Sequence, residues 1–189
     1  MKPSEPEAVR ALLHDARGRP VPFINIWSGE GSETDWHIRT DPLVGRLAFF
    51  TPHRPGSGEP DFTKQNIQRQ RKCMVRRLCQ VCGQAIPPRD AGLLVMSSIS
   101  VATHEVYEHG PVPLFSEPWC HPECITYAAA ICPGLRRRQN QHDFSLIRPR
   151  RVSLIESRGW VEGPLERYTK KEQPTMWVKA AVLEWEQWA

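Results

Sequence analysis

The chain has 189 residues, of which 40% are apolar and 24% charged, and a formal net charge of +4. These are ordinary figures for one folded domain with appendages. No run approaches the roughly 18 apolar residues of a membrane helix, and Met1-Lys2-Pro3-Ser4-Glu5 lacks the apolar core of a signal peptide, so a cytoplasmic protein without membrane segments is expected.

In chain order, Val9, Leu12 and Leu13 mark a short amphipathic helix over residues 5–16, ended by Gly18. The apolar run Pro20–Trp27 and the alternating Trp36–Thr40 predict a hairpin across a Gly- and Ser-rich turn. Asp41-Pro42 then opens a short helical or irregular piece through Phe50, and together residues 17–50 make an N-terminal hairpin region. Three prolines and two glycines between Thr51 and Pro60 predict a flexible insert over residues 51–61.

From Phe62 to Leu78 the pattern is helical, with Ile67, Met74 and Leu78 as a thin apolar stripe. The run holds Lys64, Arg69, Arg71, Lys72, Arg76 and Arg77 and no acid, and is expected to be mostly solvated. A second basic cluster, Arg136, Arg137 and Arg138 followed by Arg148, Arg150 and Arg151, lies downstream. If the fold joins the two, they form one positive face suited to phosphate.

Cys79-Gln80-Val81-Cys82-Gly83 and, later, His121-Pro122-Glu123-Cys124 each space two metal donors by two residues. Three thiolates and an imidazole suit one tetrahedral zinc, and this spacing seldom arises in cysteines that merely fill a core. Gly83 can take the positive φ of a tight knuckle. Pro122 suits the first position of a helix continued by Ile125–Ile131, whose positive end favours a Cys124 thiolate. Between the pairs, Leu93–Met96, Ile99–Val101 and Val112–Phe115 read as a β-hairpin or meander. Residues 62–135 then form a basic helix plus zinc module.

Pro133-Gly134 ends the zinc helix and a polar connection follows. Val152–Ser157 reads as a strand, with turns at Gly159 and Gly163-Pro164. Trp177, Ala181, Trp185 and Trp188 fall at helical spacing, so Met176–Trp188 reads as a helix. Its aromatic face either packs on the core or, through Trp177, Trp185 and Trp188, meets a partner. Residues 136–189 are thus a C-terminal strand and Trp-rich helix, and the class is α+β in a single domain.

Knuckle, hairpin and ligand-bearing helix in this order resemble a treble-clef zinc module, with a His-x-x-Cys half similar to LIM-type fingers. The combined pattern of Gly18–Phe23, Asp41-Pro42, Leu78–Gly83, Ser116–Cys124, Tyr127-Ala128 and Cys132–Leu135 resembles a family of small uncharacterised phage and bacterial zinc-binding proteins. The matched ligand positions are Cys79, Cys82, His121 and Cys124, and one structural Zn2+ is what the resemblance implies. The insert and the extra Cys120 depart from the pattern, and Cys120 competes with His121 as a ligand. No activity comes with the resemblance.

Two further sites have a bland and a sharp reading. Cys73, inside a basic helix, is either an inert half-buried thiol or one with a lowered pKa. His104 and His109 fall in a polar turn, or serve an HNH-like metal-dependent nuclease, a class that resembles a treble clef. Four protein donors leave a metal no open position for water, which argues for a structural site. The expectation is a zinc-stabilised, non-enzymatic, phage-related accessory factor whose partner is nucleic acid or a nucleic-acid-processing protein. A protein-protein adaptor or inhibitor of a host factor, acting through the Trp-rich segment, is the alternative, and the nuclease is the second.

Overall fold

The computed structural model describes residues 3–31, 35–87, 92–96, 105–107, 110–158 and 173–188. His104, His109, Ile99–Val101, Gly159 and Gly163-Pro164 lie outside them. Helices and sheets mix as an α+β chain, organised around one long antiparallel ribbon. β9 (Ser145–Arg158) runs antiparallel beside β10 (Thr175–Gln187), from Thr175 opposite Arg158 to Gln187 opposite Ile147, with shifts of register between Thr175 and Trp177 and on either side of Glu184.

The ribbon corrects the expected C-terminal helix. Trp177, Ala181, Trp185 and Trp188 do recur at helical spacing, but Val178, Ala180 and Val182 alternate with period two, and all three are buried against the main core. Valine and tryptophan also fit a pleated surface, and β9 supplies a partner along the whole length. The predicted strand over Val152–Ser157 lies inside β9.

β10 is central in its sheet. The order is β2 (His37–Asp41), β3 (Arg46–Phe50), β10, β9 and β5 (Leu94–Met96), with β8 (Leu114–Phe115) also paired to β10. β10 meets β3 in parallel at Thr175 and β8 antiparallel at Ala180 and Ala181. Between those neighbours the side chain of Gln70 takes the place of a strand. Its Nε2 donates to the Val178 carbonyl (2.6 Å) and its Oε1 accepts from the Val178 N–H (3.2 Å). Backbone groups at a gap between strands are thereby satisfied, as buried polar groups must be.

The N-terminal pairing also differs from the expected hairpin. β1 (Asn25–Trp27) pairs with β4 (Pro60–Gln65), while β2 pairs with β3. The piece after Asp41-Pro42 is therefore a hairpin rather than a helix. Asp41 Oδ1 accepts from Leu43 N–H (2.9 Å), and Gly45 takes φ +71° to close the turn. The first helix shrinks to α1 (Glu7–Arg10). Residues 51–59 form no helix or strand, as the prolines and glycines predicted, and Pro60 opens β4.

The basic helix is α2 (Ile67–Arg76). Asn66 caps it by accepting from the Gln68 and Arg69 N–H groups, both at 3.1 Å, so the helix starts five residues after Phe62. Its buried side carries Ile67, Gln70, Cys73 and Met74. The helix that carries Cys124 is α3 (Pro122–Ile131), and α4 (Pro133–Asn140) follows it without a connecting loop. Pro133 does stop α3, yet proline at a first helical position also starts α4, where a polar connection was expected. β5 and β8 join the large sheet instead of pairing with each other, and β6 (Glu105–Tyr107) pairs with β7 (Gly110–Val112). The β-hairpin or meander expected between the two halves of the cysteine-histidine motif is thus present as the β6–β7 hairpin, with β5 and β8 paired to the large sheet.

Candidate metal centre

The first half of the centre is a short hairpin. Leu78 bridges Ala85, Cys79 N–H donates to the Gln84 carbonyl (2.8 Å) and Gly83 N–H to the Cys79 carbonyl (2.7 Å). Gly83 sits at φ +74°, and a β-carbon there would stand 2.8 Å from the Phe23 ring, so both backbone and packing require glycine. The second half starts α3. His121 is its N-cap residue, Pro122 its first residue and Cys124 its third.

These elements bring Cys79 Sγ, Cys82 Sγ, Cys124 Sγ and one nitrogen of His121 within 4.8 Å of one another. Cys82 Sγ and His121 Nδ1 are 3.4 Å apart. Around zinc, ligand bonds of about 2.3 Å to sulfur and 2.0–2.1 Å to nitrogen put tetrahedral S and N neighbours about 3.5 Å apart. The cluster can therefore hold a metal ion, and its donors and spacing are consistent with zinc. The three cysteines are buried and the imidazole is partly exposed.

The surrounding groups fit the same reading. His121 Nε2 lies 3.3 Å from the Ala85 carbonyl, which orients the ring and leaves Nδ1 toward the sulfurs. His121 N–H points at Cys79 Sγ (3.4 Å), and the Gln84 N–H supports the Cys82 thiolate. Hydrogen bonds from the Cys120, Cys124 and Cys82 thiols hold the Cys79 pKa far below its usual value. For Cys82 a contact with Cys124 favours the thiolate, but the Cys79 contact and burial outweigh it and push the thiol up to about 11. Cys124 is raised by its hydrogen-bond contacts with the Cys79 and Cys82 sulfurs and by burial, opposite to the lowering expected from the helix end. The Cys79 contact raises His121.

Cys120 is not one of the four converging donors. It is fully buried, its backbone pairs in both directions with Leu93, and its Sγ accepts from Gln80 Nε2 (3.2 Å). Cys73 is buried and pushed up to about 12, mainly by burial, which overturns the lowered-pKa reading. Cys132 is half-buried at the junction of α3 and α4.

The expected positive face is largely dismantled. Arg69 is buried, and its guanidinium makes a bidentate pair with buried Glu30, both bonds at 2.6 Å, and also donates to the Asn25 carbonyl. Arg71 is fully buried against Asp41. Neither can meet phosphate, and Glu30 and Asp41 are residues that spacing alone gave no reason to single out. Arg77 closes α2 at φ 50° and lies over the Trp119 ring. Lys72 and Arg76, four apart on the outer side of α2, are exposed, as are Lys64, Arg136 and Arg137, while Arg138 pairs with Asp143 at 3.9 Å. Downstream, Arg148 and Arg150 pair with Glu186 and Arg151 with Glu184 across the ribbon. Of the expected tryptophan face, Trp185 is exposed, Trp177 half-buried, and Trp188 packs on the core beneath Arg148.

No protein-family model, curated protein or solved structure matches this chain. No helix among the described residues is long and apolar enough to cross a membrane.

Proposed function

We propose that this is a non-enzymatic binding protein whose middle is fastened by one structural zinc, held by Cys79, Cys82, His121 and Cys124. The convergence of these four side chains within 4.8 Å carries the reading. Four protein donors complete a tetrahedral shell, so no position is left for water or substrate. The centre contributes stability instead. Structural zinc supplies roughly 10–16 kcal/mol in zinc-finger peptides, and here it would tie the knuckle after α2 to the start of α3.

For the partner, the reading that follows from the chain's basic character is nucleic acid or a protein that works on it. The side chains left to meet phosphate are Lys64, Lys72, Arg76, Arg136 and Arg137, all exposed. With so few, affinity should be modest and strongly salt-dependent, the log-log slope reading about 0.9 per phosphate neutralised on a duplex.

The test is metal analysis of the purified chain with thermal melting before and after chelation. One zinc per chain and a large fall in Tm on chelation, reproduced by Cys82→Ser, are expected. Zinc-free protein that melts with the parent's Tm would refute the fastener. Salt-titrated binding to a duplex and to a single strand then reads the partner class, and the double variant Arg136→Ala/Arg137→Ala should lower the slope without changing Tm.

A further inference from the structure

The helix that presents Cys124 also walls a groove of about 620 Å³, a volume typical of small-ligand sites. Val9, Leu12, Ile24 and Phe62 line it together with Ile125 and Ile131 of α3. Two buried side-chain amides line it as well, Asn25 at 7% exposure and Gln80 at 8%. Each spends its NH2 group inside the protein. Asn25 Nδ2 donates to the carbonyls of Asp61 (3.0 Å) and Lys64 (3.2 Å), and Gln80 Nε2 to the Pro118 carbonyl (2.9 Å) and Cys120 Sγ (3.2 Å).

Their oxygens are in a different position. Asn25 Oδ1 and Gln80 Oε1 accept no hydrogen bond among the described residues, and neither is sealed away in the core as an orphan. Both residues line the groove. The two cations that line it each sit beside a carboxylate, Arg19 at 2.6 Å from Asp15 and the exposed Lys64 at 3.7 Å from Asp61. The groove therefore offers mostly apolar walls, these two amide acceptors and the Glu117 carboxylate, and its two lining cations, Arg19 and Lys64, each lie beside an aspartate.

We propose that this groove binds a small, neutral, mostly apolar molecule bearing one or two N–H or O–H donors, which the amide oxygens of Asn25 and Gln80 accept. The apolar body supplies the affinity and the donors supply the discrimination. A desolvated acceptor strongly rejects the analogue that lacks the donor.

The experiment uses the full chain with matched probe pairs, indole against 1-methylindole and 4-propylphenol against 4-propylanisole, followed by ligand-detected NMR and calorimetry. The donor-bearing member of each pair should bind at least about tenfold tighter, as expected where a buried polar group would otherwise stay unpaired. Ile131 is 37% exposed at the groove, so Ile131→Trp should block binding without lowering Tm. Phe62→Ala, at another exposed lining position, should weaken it. Cys132 also lines the groove and is the one cysteine that is not buried, so saturating indole should slow its alkylation.

Equal affinities within each pair, no saturable binding at millimolar concentration, or binding unaffected by both variants would overturn the proposal. Zinc is assayed in every sample. Metal present without probe binding sinks the groove alone, and folded, metal-free protein that still binds indole sinks the zinc reading alone.

Discussion

Arg71 of α2 and Asp41 at the end of β2 form an ion pair of 2.9 Å with neither side chain open to water. The remaining guanidinium nitrogens of Arg71 donate to the carbonyls of Phe49 (2.7 Å) on β3 and Met176 (3.0 Å) on β10. One arginine thus joins a helix to three strands of the sheet. Burial works against its charge, and the Asp41 carboxylate favours it.

Arg71→Ala would leave Asp41 buried without its partner and two strand carbonyls unpaired. Removing one member of a buried pair costs roughly 3–5 kcal/mol, a large part of a domain's total stability. Arg137→Ala, at an exposed site, should stay within about 0.5 kcal/mol of the parent. Urea denaturation of the two variants checks this, and equal midpoints would contradict the placement of Arg71.

The strand assignment of Thr175–Gln187 makes an alternating pattern measurable. Val182→Ala, at a fully buried position, should cost roughly 2 kcal/mol or more by cavity formation. Trp185→Ser, where the side chain is 44% exposed, should cost far less despite the larger residue lost. A helix with a tryptophan stripe would rank the two the other way.

Acid should weaken the ribbon. Glu186 is held below its usual pKa of 4.5, first by the Arg150 hydrogen bond and then by the nearby charges of Arg150 and Arg148. A carboxylate depressed in the folded state stabilises above its unfolded pKa, and that contribution is lost as pH falls through the folded value. The Tm difference between the parent and Glu186→Gln should therefore be present near neutral pH and close as pH drops below about 4.5. Because the pair is exposed, the difference should be small and salt-sensitive. A gap that widens in acid would reverse the assignment.

Thiol reactivity should single out one cysteine. Cys73 is buried with its pKa pushed up to about 12, and the remaining sulfurs apart from Cys132 are buried within or beside the cysteine-histidine cluster. Iodoacetamide at neutral pH, followed by peptide mapping, should label Cys132 first and Cys73 only after unfolding. Early labelling of Cys73 would mean that the inner side of α2 is open to solvent.

The spacing of the cysteine and histidine donors is legible in the sequence. Cys79 and Cys82 around a knuckle with Gly83, and His121 and Cys124 flanking a helix-starting Pro122, are fixed by spacings of three residues and by backbone chemistry that any fold must respect. That the two halves meet was an expectation from ligand chemistry, and the convergence of four donors fulfils it. Tertiary structure alone decided the fate of the arginines and the tryptophans. Glu30 and Asp41 lie 39 and 30 residues from Arg69 and Arg71, so nothing local marks those charges as paired and buried. Residues 176–188 carry both a helical and an alternating apolar pattern. Which pattern wins depends on a partner strand some thirty residues upstream, because ladder hydrogen bonds and a buried face are supplied by β9 and not by the segment itself.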